Sequence, residues 1–409
     1  MLAVGACAAA GLLAYPITGG DTDLWYHLSA GRWMAEHWAV PREAYFSFFE
    51  PARPWADYYW LFQIAAYGVF RAAGWLGLIV LRAALATACL FVLARWMLRA
   101  AADRATAAAL WGLAVVALMP RLLMLRPHLV EFLLLSIFLS ALNGAAAPLW
   151  LVPLSVLWAN THGVSYPVLL LVLAASAVDG VAAGRSARHF VVLAACAVGV
   201  LVTPLGTSIL PLPFLSPDYS SRHIGELAPL SLDAALGRGL PAGAFLSLCA
   251  FWILTALTAG AARAEVLVRR PRLGPLILWV AGLYMLTRHM RLRMECVLLA
   301  LPLLMSVRLP AFKQLDERGR RLAAAAGGCA LLAALALMFH PRPHFPLSQS
   351  GLPHGVIAFL KAEGGAGRVL NFPDTGGYWQ WEMPRTKIAM DLQTPFLFSD
   401  SDYKTVHSA

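Results

Sequence analysis

The chain alternates long apolar runs with short polar breaks, and the runs have helical rather than strand length. They cover 2–18, 75–98, 106–122, 128–143, 149–160, 164–184, 188–203, 241–262, 273–287, 292–308 and 322–340. A membrane helix needs about 20 residues to cross the hydrocarbon layer, so the shorter runs predict tilted or broken helices. Leu2–Ile17 lacks a basic leading segment, which favours a retained helix over a cleaved signal. Two segments mix aromatic and polar residues instead. In 24–38, Trp25, Leu28, Trp33 and Met34 share a face, while His27, Arg32 and Glu36 are expected to face water or a site, as in a helix lying in a membrane surface. In 55–73, Arg71 interrupts the run, Gly74 ends it, and Tyr58, Tyr59, Trp60 and Tyr67 suit an interface. Pro41, Pro51 and Pro54 mark a folded loop between the two.

From Pro341 the Leu/Ala runs stop, and Gly364-Gly365 and Gly376-Gly377 punctuate strand candidates at 368–372 and 387–392. The expected organisation is a transmembrane domain over 1–340, with 19–74 an external loop carrying interfacial helices. An external α/β domain follows over 341–409, either minimal or truncated.

Composition agrees with lipid as the solvent. Charged residues are 13% of 409 and hydrophobic ones 60%, where a soluble domain carries about 25% charged residues. The net charge of +10 is no nucleic-acid signal, because the arginines are scattered between apolar runs. Arg95, Arg99 and Arg104, then Arg185 and Arg188, then Arg263, Arg269, Arg270 and Arg272, then Lys313, Arg318, Arg320 and Arg321 occupy alternate connections. This is the positive-inside pattern if 55–73 does not cross. The remaining connections then share the outer side. The six cysteines lie inside apolar runs without metal-ligand spacing and read as small core residues.

Four polar clusters fall on that predicted outer side. Asp21, Asp23 and His27 follow the first run; a carboxylate there could take a hydroxyl proton or hold a divalent cation beside a phosphate, or simply cap the helix that follows. Arg121, Arg126 and His128 offer a bidentate phosphate contact or a boundary arginine. Asn160 and His162, before Gly163, form a compact donor set. Arg288, His289, Arg291 and Arg293 break the positive-inside trend, which is costly unless an anion compensates; pairing with Glu295 and lipid headgroups is the plainer reading. Glu226, Asp374 and Asp391 are acids on the same side and read as structural.

Together, Asp21-Thr22-Asp23-Leu24-Trp25-Tyr26-His27-Leu28 with Gly31-Arg32, and Trp55-Ala56-Asp57-Tyr58-Tyr59-Trp60-Leu61, resemble the first-loop signature of bacterial GT-C-type membrane proteins, which are glycosyltransferase-like. Arg126-Pro127-His128, Trp158–Gly163, Arg288-His289 and Asn371-Phe372-Pro373-Asp374 with Gly376-Gly377-Tyr378 resemble their later blocks. Tyr59 departs from the pattern, standing where an acid is expected. The resemblance implies an all-α polytopic GT-C-like fold with about 11 transmembrane helices and a small C-terminal α/β segment, in a bacterial inner membrane with its active face outward. It implies an inverting transfer from a polyprenyl-phosphate-linked sugar, with Asp21 or Asp23 as base and the other orienting the acceptor or a metal. Arg288, Arg291 and Arg293 would hold the lipid phosphate, and Arg126 and His162 would line the sugar side. The alternatives are a glycan ligase, a transporter and a noncatalytic subunit on the same scaffold.

Overall fold

The computed structural model describes residues 1–18, 21–55, 57–142, 147–182, 184, 188–215, 228–267, 271–305, 317–339, 344–348, 351–365, 367–392 and 397–408. Ala56, Arg185, Glu226, Arg269, Arg270, Lys313 and Pro341, named above, lie outside them. The described chain is mostly helical with little sheet. Its apolar helices are α1 (Leu2–Ala14), α3 (Trp60–Ala100), α4 (Arg104–Leu122), α5 (His128–Leu142), α6 (Leu151–Thr161), α7 (Tyr166–Ala182), α8 (Arg188–Val200), α10 (Ala242–Val266), α11 (Leu273–Arg288), α12 (Arg293–Leu304) and α13 (Glu317–Met338); the short α9 (Leu232–Leu236) precedes α10.

Each apolar run therefore contains a helix, but length divides them. Among the described residues, four segments are long and apolar enough to cross a membrane: Trp60–Ala100, Arg104–Leu122, Gly163–Ala182 and Ala242–Val266. The others are shorter or, in α13, apolar only over Ala324–Met338, so four of the expected 11 crossings meet both length and composition. α3 breaks at Gly74, where φ is 58° and ψ −151°, a conformation that a Cβ would strain. The stretch after the break would span about 39 Å at 1.5 Å per residue, enough to cross alone. The 60–73 stretch is thus a separate helix, as the run ending at Gly74 predicted.

The bundle packs around α12, whose residues Met294–Leu301 are all buried, against α4, α5, α10 and α11. A helix apolar and covered on all sides belongs at a core. Outward faces remain apolar: Phe91 of α3, Val198 of α8 and Val280 of α11 are exposed, as a lipid-facing surface requires. In lipid, apolar burial drives association weakly, so internal polar bonds carry more of the specificity. Arg82 of α3 is 1% exposed. Its guanidinium donates to the carbonyls of Leu12 at 2.7 Å, Pro16 at 3.1 Å, Leu123 at 3.1 Å and Tyr15. It thereby satisfies carbonyls at the C-terminal ends of both α1 and α4, which have no helical partner.

The tail folds back onto the first loop. β1 (Ile17–Thr18) pairs in parallel with β2 (Leu347–Ser348), and β3 (Arg368–Val369) with β4 (Lys387–Ile388). These two-residue ladders are shorter than the strand candidates, and the second is extended by the first loop itself: Phe48 donates to the Ile388 carbonyl at 3.1 Å, and Ile388 to that of Phe46 at 3.0 Å. Helix α2 (Thr22–His37) lies between the bundle and α15 (Pro373–Glu382), the tail helix that follows α14 (His354–Ala362). A Cβ on Gly377 would stand 2.5 Å from the Tyr26 nitrogen, so only glycine permits this approach. Trp25 packs edge-on against Tyr378 at 4.7 Å.

This arrangement corrects the surface-helix expectation for α2. Residues 24–31 are all buried, and Arg32 donates to the carbonyls of Gln380 at 2.7 Å and Trp381 at 3.0 Å rather than facing water. The reason is coverage from two sides, by α3 below and α15 above. Arg53 closes the far end on Asp402, of α16 (Asp400–Ser408), at 2.7 Å. The 344–408 region is therefore knit into the first loop strand by strand.

Candidate active site

Asp21 sits immediately before the first residue of α2, where an aspartate ordinarily caps the helix. Its side chain makes no capping bond. It turns instead to Arg126, in the turn between α4 and α5. Arg126 Nε donates to Asp21 Oδ1 at 2.6 Å, and Nη1 donates to Asp23 Oδ2 at 2.6 Å. One guanidinium thus holds two carboxylates that the sequence separates from it by about a hundred positions. Asp21 has 4% of its side chain exposed and Asp23 20%, so Asp23 is the accessible acid. Arg82 ties together the segments leading to each partner, Tyr15-Pro16 before Asp21 and Leu123 before Arg126.

His27 lies one turn further along α2 and is buried. The Gln63 amide donates to its Nδ1 at 3.3 Å. Burial, followed by the positive charges of Arg126, His162 and His128, holds its pKa well below the usual imidazole range. His27 is therefore a neutral wall of the site, not an anion-binding cation. Tyr59 stands edge-on to it at 5.1 Å, and burial pushes the Tyr59 hydroxyl up to about 12 against the opposing charge of Arg291. Asp57, fully buried, accepts from the Tyr59 N–H at 3.1 Å. Burial pushes its carboxyl up to about 7, opposed by hydrogen bonds from Tyr59, Trp55 and Gln63.

His162 ends α6, with its ring stacked on Tyr59 at 5.5 Å between centroids and 14° between planes. Its Nδ1 faces Glu131 Oε2, with Ser165 Oγ 3.0 Å away. Glu131 is 1% exposed, and its Oε1 has no hydrogen-bond partner. The Gly163 N–H donates to the Tyr58 carbonyl at 3.0 Å, which brings the first loop against this corner. His128 is committed elsewhere: its Nε2 lies 2.9 Å from the Arg121 carbonyl.

The remaining sequence candidates separate. Asn160 accepts from Trp60 Nε1 at 2.8 Å and donates to the carbonyls of Val156 at 2.7 Å and Val202 at 2.8 Å. With its hydrogen bonds so used, it joins α6 to α3 and the end of α8, beside an open cavity of about 660 Å³ lined by Trp60, Leu157 and Leu201. The arginine group divides three ways. Arg288 is exposed and makes no hydrogen bond or ion pair among the described residues. Arg293 turns to α10, 3.5 Å from Ser247 Oγ and 6.0 Å from the Phe251 ring centre. Arg291 alone of the three bears on Tyr58 and Tyr59; His289, half-buried, lies between them in sequence.

Among the described residues no group of three or more His, Cys, Asp or Glu side chains converges as metal ligands, and Asp21 and Asp23 are both directed at a guanidinium. Arg82 and Glu131 are not among the sequence candidates. Both are lone charges inside apolar runs, a signal that by itself marks a functional or structural polar site. Asp374 is exposed, while Asp391 is buried and accepts from Gln380 at 2.8 Å, a structural role. No family model matches the sequence, and a search of curated proteins returns no match.

Proposed function

We propose that the protein is a polytopic membrane glycosyltransferase of GT-C-like architecture. It moves a sugar from a polyprenyl-phosphate donor to an acceptor at the outer face of a bacterial inner membrane, with the shorter apolar helices completing about 11 crossings. The observation that carries this reading is the Asp21–Arg126–Asp23 clamp, with His162 and Arg291 near the same first-loop residues His27 and Tyr59. Asp23, the more accessible acid, takes the proton of the acceptor hydroxyl. Asp21 holds Arg126 in place. The acceptor oxygen attacks the anomeric carbon opposite the phosphate, inverting it, and negative charge develops on the leaving group. Arg291 supplies a preplaced positive charge for that phosphate.

A noncatalytic scaffold is the second reading, favoured by the same clamp, since both carboxylates are engaged by one guanidinium. Purified protein in lipid nanodiscs, given a panel of polyprenyl-phosphate hexoses, separates the two by release of polyprenyl phosphate. Asp23→Asn is expected to lower transfer by about 10²–10⁴-fold. Full transfer by both Asp21→Asn and Asp23→Asn overturns the base assignment. Tight binding of polyprenyl phosphate with no transfer from any donor supports the scaffold.

A further inference from the structure

Glu131 and His162 form a second pair of proton-handling groups, separate from the aspartates. Glu131 enters from the first turn of α5 and is buried, so its carboxylate cannot be satisfied by bulk water. Facing Nδ1, it fixes the imidazole with its Nδ1–H directed at the carboxylate. That leaves Nε2 as the working edge of the ring, the arrangement by which a buried acid sets tautomer and orientation in acid–base catalysis. Tyr59 stacked on the ring and Ser165 beside Nδ1 restrict it further. His162 keeps 15% of its side chain exposed, and the contacts from Glu131 and Ser165 fall on its Nδ1 side. The Arg291 charge acts on the same Tyr59 that covers the His162 ring. The imidazole and the arginine assigned to the leaving phosphate therefore share one corner.

We infer that His162, oriented by Glu131, is the proton donor to the leaving phosphate. This rests on the glycosyl-transfer reading. As the acceptor oxygen bonds to the anomeric carbon, its proton passes to Asp23. The bond from that carbon to the phosphate oxygen breaks, and its electron pair stays on the phosphate. His162 enters this step as the imidazolium, with a proton on each ring nitrogen; its Nε2 proton moves to that oxygen while Nδ1–H stays directed at Glu131, which holds the ring throughout. The proton on Asp23 then returns to His162, so the net transfer is one proton from acceptor hydroxyl to phosphate. The charged and titratable groups around this pair are Glu131 and His128 of α5, His27 of α2 and Tyr59 before α3, with Arg291, just before α12, acting on Tyr59, and Glu295, in the first turn of α12, acting on Glu131.

The test compares wild type, His162→Asn and Glu131→Gln for transfer from a polyprenyl-phosphate hexose between about pH 5 and 9. His162→Asn is expected to lose about 10²-fold or more in kcat, with the KM for donor little changed and the alkaline fall in rate removed. Glu131→Gln is expected to displace that alkaline limb while binding polyprenyl phosphate as wild type does. Nitrogen-15 NMR of histidine-labelled protein gives a readout independent of turnover: the His162 resonance, assigned by its loss in His162→Asn, changes tautomer signature in Glu131→Gln. Wild-type kcat and pH profile in His162→Asn overturn the inference while leaving the transfer reading intact. A rise in KM alone also overturns it, making His162 a binding group. Absence of transfer by wild type from every donor removes the transfer reading, and this inference with it.

Discussion

Replacing Arg126 probes the centre of the site most directly. Arg126→Ala takes from Asp21 a guanidinium partner at 2.6 Å, with the pair 12% and 4% exposed, and from Asp23 a second bond at 2.6 Å, where the acid is 20% exposed. Breaking a buried ion pair from one side costs about 3–5 kcal/mol, because the other charge stays buried. The Asp23 bond, closer to solvent, adds at most about 1 kcal/mol. The expected loss is therefore about 4 kcal/mol, nearly all from the Asp21 side. Arg126→Lys keeps a charge but presents a point donor in place of a fork, so about half of that loss is expected to remain. The assay is equilibrium unfolding in mixed micelles with a rising fraction of denaturing detergent, followed by circular dichroism. Pairing Arg126→Met with Asp21→Asn completes a double-mutant cycle, expected to show coupling of about 1–3 kcal/mol. A loss below about 1 kcal/mol in Arg126→Ala, or strict additivity in the cycle, would refute the argument that this pair is buried and energetically joined.

Arg82→Met should destabilise by about 3 kcal/mol in the same assay, since it leaves four carbonyls at two helix ends without their donor, and Arg82→Lys should restore part of it; an unchanged midpoint for Arg82→Met counts against the staple. Gly377→Ala puts a Cβ 2.5 Å from the Tyr26 nitrogen and is expected to cost about 1–3 kcal/mol, with faster proteolysis of the 344–408 segment as the measurable sign. Asp57 gives a pH dependence of unusual direction: its carboxyl ionises near 3.8 ordinarily and near 7 in the folded protein. The unfolded chain releases that proton first, so the folded state loses stability as pH rises from about 4 and the loss levels off above about 7. Up to about 4 kcal/mol is at stake at ~1.36 kcal/mol per pH unit. Asp57→Asn should flatten the fall in melting temperature between about pH 4 and 7, and an identical slope in both proteins would remove the assignment.

The apolar runs located the helices because a buried run must satisfy its backbone internally wherever water is absent. The end of the 55–73 run at Gly74 was legible for the same local reason, since a positive φ selects glycine. Helix α2 was misjudged because periodicity reports which residues differ from their neighbours, not what covers them: the tail that buries residues 24–31 begins some three hundred positions later. Asp21 showed the limit most clearly. Its position before α2 is that of a cap, and nothing nearby in sequence indicates that its carboxylate is taken by Arg126. The arginine group failed in the opposite way, since residues adjacent in sequence leave a short turn in different directions, and Arg288, Arg291 and Arg293 reach solvent, the tyrosines and α10 respectively.

Sequence by itself determined the segments: apolar runs long enough to form helices, a charge pattern concentrated at their ends, and polar clusters at those ends. These follow from the cost of exposing backbone and charge to lipid, which acts residue by residue. The tertiary structure decided the partners. It gave both aspartates to one guanidinium, placed a buried glutamate behind His162, tied Asn160 into helix contacts, and laid the tail over the first loop. Pairings of that kind depend on how helices distant in sequence are packed and rotated against one another, and no local pattern encodes that register.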